Sequence, residues 1–79
     1  MALVSGPQLR AARAMAGLHR ERLAELSGVA INTIQRLEGQ DRIRATTTTV
    51  DSLHKALTAA GVEFTDGDAP GVRQRRPPA

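Results

Sequence analysis

Cysteine is absent from the chain, so neither a disulfide framework nor a thiolate metal site is open to it. Tryptophan and tyrosine are missing too, and Phe64 is the single phenylalanine. That argues against gripping single-stranded nucleic acid by base stacking, which needs several aromatic platforms. The two histidines, His19 and His54, show no metal-ligand spacing. No apolar run approaches the roughly 18 residues of a membrane span. The opening MALVSGPQLR has neither the basic nor the apolar region of a signal peptide. A cytoplasmic protein of bacterial type, without cofactor or metal, is the expectation. With 79 residues it makes one small domain, a size that buries a limited core and gains from oligomerisation.

Lysine is scarce as well. Ten of the eleven cations are arginine, and against eight acidic residues they leave a net charge of +3. Arginine presents a planar fork that fits phosphates and guanine edges. The charge balance alone is a weak pointer, because many solvated surfaces are mildly basic.

Four helical patterns precede Gly61. In SGPQLRAARAMAG, Ser5 and Gln8 have capping-box spacing, Pro7 suits a first turn, and Leu9, Ala12 and Ala16 share a face. HRERLAELSG turns Leu23 and Ala24 inward and ends at Gly28, while AINTIQRLEG turns Ile34 and Leu37 inward and ends at Gly39. In TTVDSLHKALTAAG, Val50, Leu53, His54 and Leu57 form a stripe of helical period, with Thr48 and Asp51 as its capping box. The run Thr46 to Thr49 also suits a strand by propensity, but the period that follows is 3.6 and favours a cap. Beyond Gly61, VEFT and VRQR alternate around the turn residues DGDAPG, which reads as a short β-hairpin or a pair of strands. RPPA is an expected frayed tail. The organisation is therefore a helical unit over 1–61, a β element over 62–76 that is a candidate for dimerisation, and a disordered tail over 77–79.

The glycine between the second and third patterns decides the reading. Gly28 permits a sharp corner, Ala24 lets two helices approach, and Val29, Ile34 and Leu37 fill the angle between them, as a helix-turn-helix requires. Ile31, Asn32, Gln35 and Arg36 then project outward. Asn and Arg are the side chains that read adenine and guanine bidentately in the major groove.

The run LRAARAMAGLHRERLAELSGVAINTIQRLEGQ resembles the Cro/C1-type (XRE, lambda-repressor-like) helix-turn-helix proteins. The likeness covers about residues 7–60 and rests on arginine-x-x-x-glycine-leucine, leucine-alanine, glycine-valine, threonine-isoleucine and arginine-leucine-glutamate in order. It implies an all-α, lambda-repressor-like bundle of four to five helices with a short C-terminal β element. It also implies a homodimer on an inverted repeat of double-stranded DNA, acting as a transcriptional repressor or autoregulator. By position, Ile31, Asn32 and Arg36 match the family's base-reading residues. Thr33 and Gln35 match positions beside the backbone or adjacent bases, and Arg20 matches a phosphate-contacting position. Arg13 and Glu38 match an internal ion pair. The chain departs from the family at the two caps, where His19 and Ala30 stand in place of Ser or Thr, and at Arg20, where glutamine is common.

Each assignment has a plainer alternative. Asn32 and Arg36 on a solvated helix face, Ile31 as a fringe core residue, and Arg13 and Glu38 as two solvated charges are the rivals. Arg42 and Arg44 flank the recognition helix and are candidate phosphate contacts, or ordinary loop charges. His54 is a packing residue rather than a ligand, and Arg73, Arg75 and Arg76 form either a phosphate-binding arm or a solvated run. Val62, Phe64 and Val72 are candidates for a dimer interface built by strand addition, the rival being a hairpin folded over the fourth helix of a monomer. A regulatory protein partner is a second possibility, with the chain as the antitoxin or antiactivator half of a pair. No nucleophile–base pair, metal cluster or phosphate-binding glycine loop points to an enzyme.

Overall fold

The computed structural model describes residues 3–65 and 71–74. The turn residues 66–70, Arg75, Arg76 and the tail expected at 77–79 lie outside that range. Four helices, α1 (Gly6–Met15), α2 (Arg20–Ser27), α3 (Ile31–Glu38) and α4 (Thr47–Ala59), precede two strands, β1 (Val62–Thr65) and β2 (Gly71–Gln74). The strands pair antiparallel, with Phe64 opposite Val72 and Glu63 opposite Arg73.

This arrangement corrects the all-α class. Among the described residues there are four helices and no fifth, and the hairpin is a structural layer rather than an appendage. β1 packs against α4 and β2 against α1. Val62 is as fully buried as the leucines of the helices. The reason lies in the short helices. Leu9 and Ala12 of α1, Leu23 of α2, Ile34 and Leu37 of α3, and Leu53 and Leu57 of α4 meet in one cluster, which Leu3 and Val62 complete. Each fully buried leucine contributes about 1.5–3 kcal/mol, so a chain this small gains by closing its core with strand residues as well.

Local chemistry sets the helix ends. Ser5 Oγ accepts from the Gln8 amide at 3.1 Å, the first half of the expected capping box. The return bond differs, because Gln8 Oε1 accepts from the Val4 amide at 2.8 Å rather than from Ser5. α4 begins earlier than its expected cap. Thr46 is the N-cap and accepts from the Thr49 amide at 3.3 Å, so Thr48 lies inside the first turn. As the sequence suggests, His19 and Ala30 cap α2 and α3 without a side-chain bond.

Gly28 and Gly6 meet two different geometric demands. Gly28 takes φ 74°, the left-handed corner between α2 and α3. Ser27 braces that corner, donating to the Leu23 carbonyl at 2.7 Å and accepting from the Val29 amide at 3.1 Å. Gly6 is needed for another reason. A Cβ there would press on the backbone carbonyls of Gln40, Leu37 and Glu38. The Gly6 amide instead donates to the Gln40 carbonyl at 2.8 Å, and the Ile43 amide donates to the Val4 carbonyl at 2.9 Å. Val4 and the first residue of α1 thus fasten the loop that follows α3.

Candidate nucleic-acid interface

α3 is divided by its period. Ile34, Leu37 and Glu38 are buried, Asn32, Gln35 and Arg36 are exposed, and Ile31 and Thr33 are half-buried at the margin. The corner at Gly28 therefore presents a polar ridge, and its apolar stripe anchors it to the core.

The loop after α3 extends this surface. Arg42 and Arg44 are both exposed. Gln40 shapes their backbone by accepting the Arg44 amide at 2.8 Å on its side-chain oxygen. Beside that loop, Arg10, Arg20 and Gln35 line a depression of about 280 Å³ with Pro7, Gln40 and Asp41 on its walls.

Behind this surface stands one buried carboxylate. Glu38 is 2% exposed and takes two bonds from Arg13, Nε to Oε2 at 2.7 Å and Nη2 to Oε1 at 3.2 Å. Arg13 also donates to the Leu18 carbonyl at 3.0 Å, so one guanidinium joins α1, the following turn and the end of α3. The expected ion pair is present, and it is not a pair of solvated charges. Arg20 is a surprise. Its Nε donates to Glu38 Oε1 at 3.0 Å, although its side chain stays 40% exposed. The expected phosphate contact is thus also the third member of the internal network.

The cations of the surface fall into two groups by partner. Arg22 pairs with Glu25 at 2.8 Å, Lys55 with Asp51 at 3.0 Å and Arg73 with Glu63 at 2.7 Å, all at the surface. Exposed pairs of this kind are worth about 0–1 kcal/mol and are screened by salt. Arg10, Arg36, Arg42 and Arg44 have no ion pair or side-chain hydrogen bond among the described residues. All four lie on α3, in the loop after it, or on the wall shared with Gln35.

The residues expected at a dimer interface sit differently. Val62 is fully buried in the chain's own core. Phe64 stacks on His54, with ring centroids 4.8 Å apart and planes at 28°, and Val72 lies opposite Phe64 in the hairpin. These three residues face the helices, so the hairpin is folded back within the chain. Arg73 is engaged by Glu63 across the strands, and its companions Arg75 and Arg76 lie outside the described residues.

Sequence reasoning missed Arg10, Gln40 and Ser27. Arg10 stands three positions before Arg13 on α1, a spacing that signals a shared face. Gln40 and Ser27 carry no such signal, because their partners are backbone groups fixed only in the fold. No family model and no curated protein matches the sequence. No described helix is long and apolar enough to cross a membrane.

Proposed function

We propose that the chain is a sequence-specific binder of double-stranded DNA, a helix-turn-helix transcriptional regulator of the Cro/C1 type that works in the cytoplasm. The observation that carries this reading is the gathering of the unpartnered arginines around α3 and its following loop, beside exposed Asn32 and Gln35. Unpaired cations on a folded surface repel one another, and a polyanion is the partner that removes the repulsion.

α3 enters the major groove. Asn32 and Arg36 read base edges, and Ile31 offers its methyl groups to a thymine. Arg20, Arg42 and Arg44 take phosphates, and Thr33 and Gln35 lie beside the backbone. A single helix of this length covers few base pairs, so the protein acts as a homodimer on two half-sites about one helical turn apart. With Val62 buried, the open edges of the two-stranded sheet are the available means of strand pairing between copies. Occupancy of an operator by such a dimer represses transcription, including that of its own gene.

Selection of bound duplexes from a random pool tests the reading. Enrichment of a two-fold symmetric site, with affinity falling steeply as salt rises, is the expected result. A pool that remains unenriched would overturn it.

A further inference from the structure

The loop between α3 and α4 ends in a run of hydroxyls, Thr46 to Thr49, which differ in what they bond. Thr46 is committed as the N-cap of α4. Its oxygen accepts from the Thr49 amide at 3.3 Å and lies 3.0 Å from the Thr49 hydroxyl. Thr47 and Thr48 are exposed, and their hydroxyls bond to nothing among the described residues. The residues that lead to them, 40–46, are non-helical. Arg44 stands three positions before Thr47 and Arg42 five, both exposed. The two arginines line a common depression of about 370 Å³ with Gln40 and Asp41.

We infer that Thr47 is a phosphorylation site for an arginine-directed serine/threonine protein kinase, and that its phosphate switches off DNA binding at this loop. Such a kinase has an acidic groove that takes an extended basic segment, with an arginine three residues before the acceptor hydroxyl. Arg44 meets that spacing for Thr47 and for neither Thr46 nor Thr48. In the transfer, Thr47 Oγ1 attacks the γ-phosphorus of ATP and forms the new phosphorus–oxygen bond. The bond from that phosphorus to the β–γ bridging oxygen breaks, ADP leaves, and the hydroxyl proton passes to the kinase's carboxylate base. The consequence is a reversal of sign. Arg42 and Arg44 against Asp41 leave one net positive charge at the depression. A phosphothreonine adds about 1.5–2 negative charges near neutral pH, which turns the loop from attracting DNA to repelling it. The new charge falls in the first turn of α4, where the helix dipole favours it, so the fold is retained. The switch rests on the DNA-binding reading, whereas the acceptor role of Thr47 does not.

The test treats the full-length chain with a purified arginine-directed kinase and magnesium ATP. Mass spectrometry places the phosphate, and circular dichroism follows the fold. Phosphate should appear on Thr47, and transfer to Arg44→Ala should be slower by about tenfold or more. No transfer to Thr47, or transfer to Arg44→Ala at the parent rate, overturns the site. Binding to mixed-sequence duplex DNA across a salt series then reads the switch. The phosphorylated chain should bind about sixtyfold more weakly at about 0.1 M salt, with a slope flatter by about 1.8, the share of two phosphate contacts. Thr47→Val has no acceptor, so it should bind as the parent does and keep that affinity after kinase treatment. Loss of binding by treated Thr47→Val would put the effective phosphate elsewhere and overturn the assignment. A chain phosphorylated on Thr47 that binds as tightly as the parent overturns the switch and leaves the DNA reading intact. A parent that binds no duplex overturns the DNA reading and the switch with it, while transfer to Thr47 still decides the acceptor.

Discussion

Gln8 donates its side-chain amide to the carbonyl of Gly71 at 3.1 Å, a bond between α1 and β2 across 63 positions of sequence. The oxygen of the same side chain accepts the Val4 amide, so one residue, itself 4% exposed, finishes the start of α1 and fastens the hairpin. Gln8→Ala would strand two polar groups at partly buried positions, at a cost of about 1–3 kcal/mol each. The midpoint of urea unfolding should fall, and amide exchange across Val62–Thr65 should quicken more than in α2. Equal quickening throughout would mean that Gln8 does not fasten the hairpin.

The Arg13–Glu38–Arg20 network is unequal. Arg13 holds Glu38 with two bonds at 19% exposure, and Arg20 holds it with one at 40%. Arg13→Ala should cost on the order of 3–5 kcal/mol, because a buried carboxylate loses its main partner. Arg20→Ala should cost about 1 kcal/mol or less, since solvent screens it and Arg13 remains. Urea unfolding of the two variants checks the order, and a reversal would relocate the anchor to Arg20.

Gly6 and Gly28 should respond oppositely to asparagine. At Gly28 the obstacle is conformational, so alanine costs about 1–2 kcal/mol while asparagine, which tolerates the left-handed region, recovers part of it. At Gly6 the obstacle is the backbone of residues 37, 38 and 40, so any side chain costs upward of about 1–3 kcal/mol and asparagine recovers nothing. Thermal unfolding of the four variants separates the two mechanisms.

Arg36 is exposed and has no partner among the described residues, so its removal should leave stability within about 0.5 kcal/mol of the parent. On a selected operator, Arg36→Ala should lose about 1–3 kcal/mol of binding and relax the preference at one base pair. Unchanged affinity with an unchanged site would remove Arg36 from base readout.

The legible parts of this chain are those governed by local rules. The apolar period placed Leu23, Ile34, Leu37, Leu53 and Leu57 in the core, and the need for a left-handed residue placed the corner at Gly28. Alternation gave the hairpin. The start of α4 lies two residues before the expected Thr48, because four successive threonines offer equivalent hydroxyls and only the path of the loop selects Thr46. The hairpin's place as a layer is not legible, because an apolar alternating residue such as Val62 suits a second chain as well as the chain's own α4. On α3, the exposure of Asn32, Gln35 and Arg36 is legible from the helical period alone. Arg20's hold on Glu38 is not, since it depends on how closely the start of α2 approaches the end of α3, 18 residues away.

The Gln8–Gly71 bond also imposes an order in time. A ribosome that has placed Gln8 must add 63 more residues before the carbonyl that Gln8 binds exists. Until then the Gln8 amide is answered by water, and Leu9 and Ala12, its neighbours on the inward face, wait for Val62 to close the cluster. At about 5–20 residues per second the nascent helices spend several seconds in that unfinished state. The chain acquires its final packing only when synthesis has passed β2, so the core of the helices waits on the hairpin that follows them.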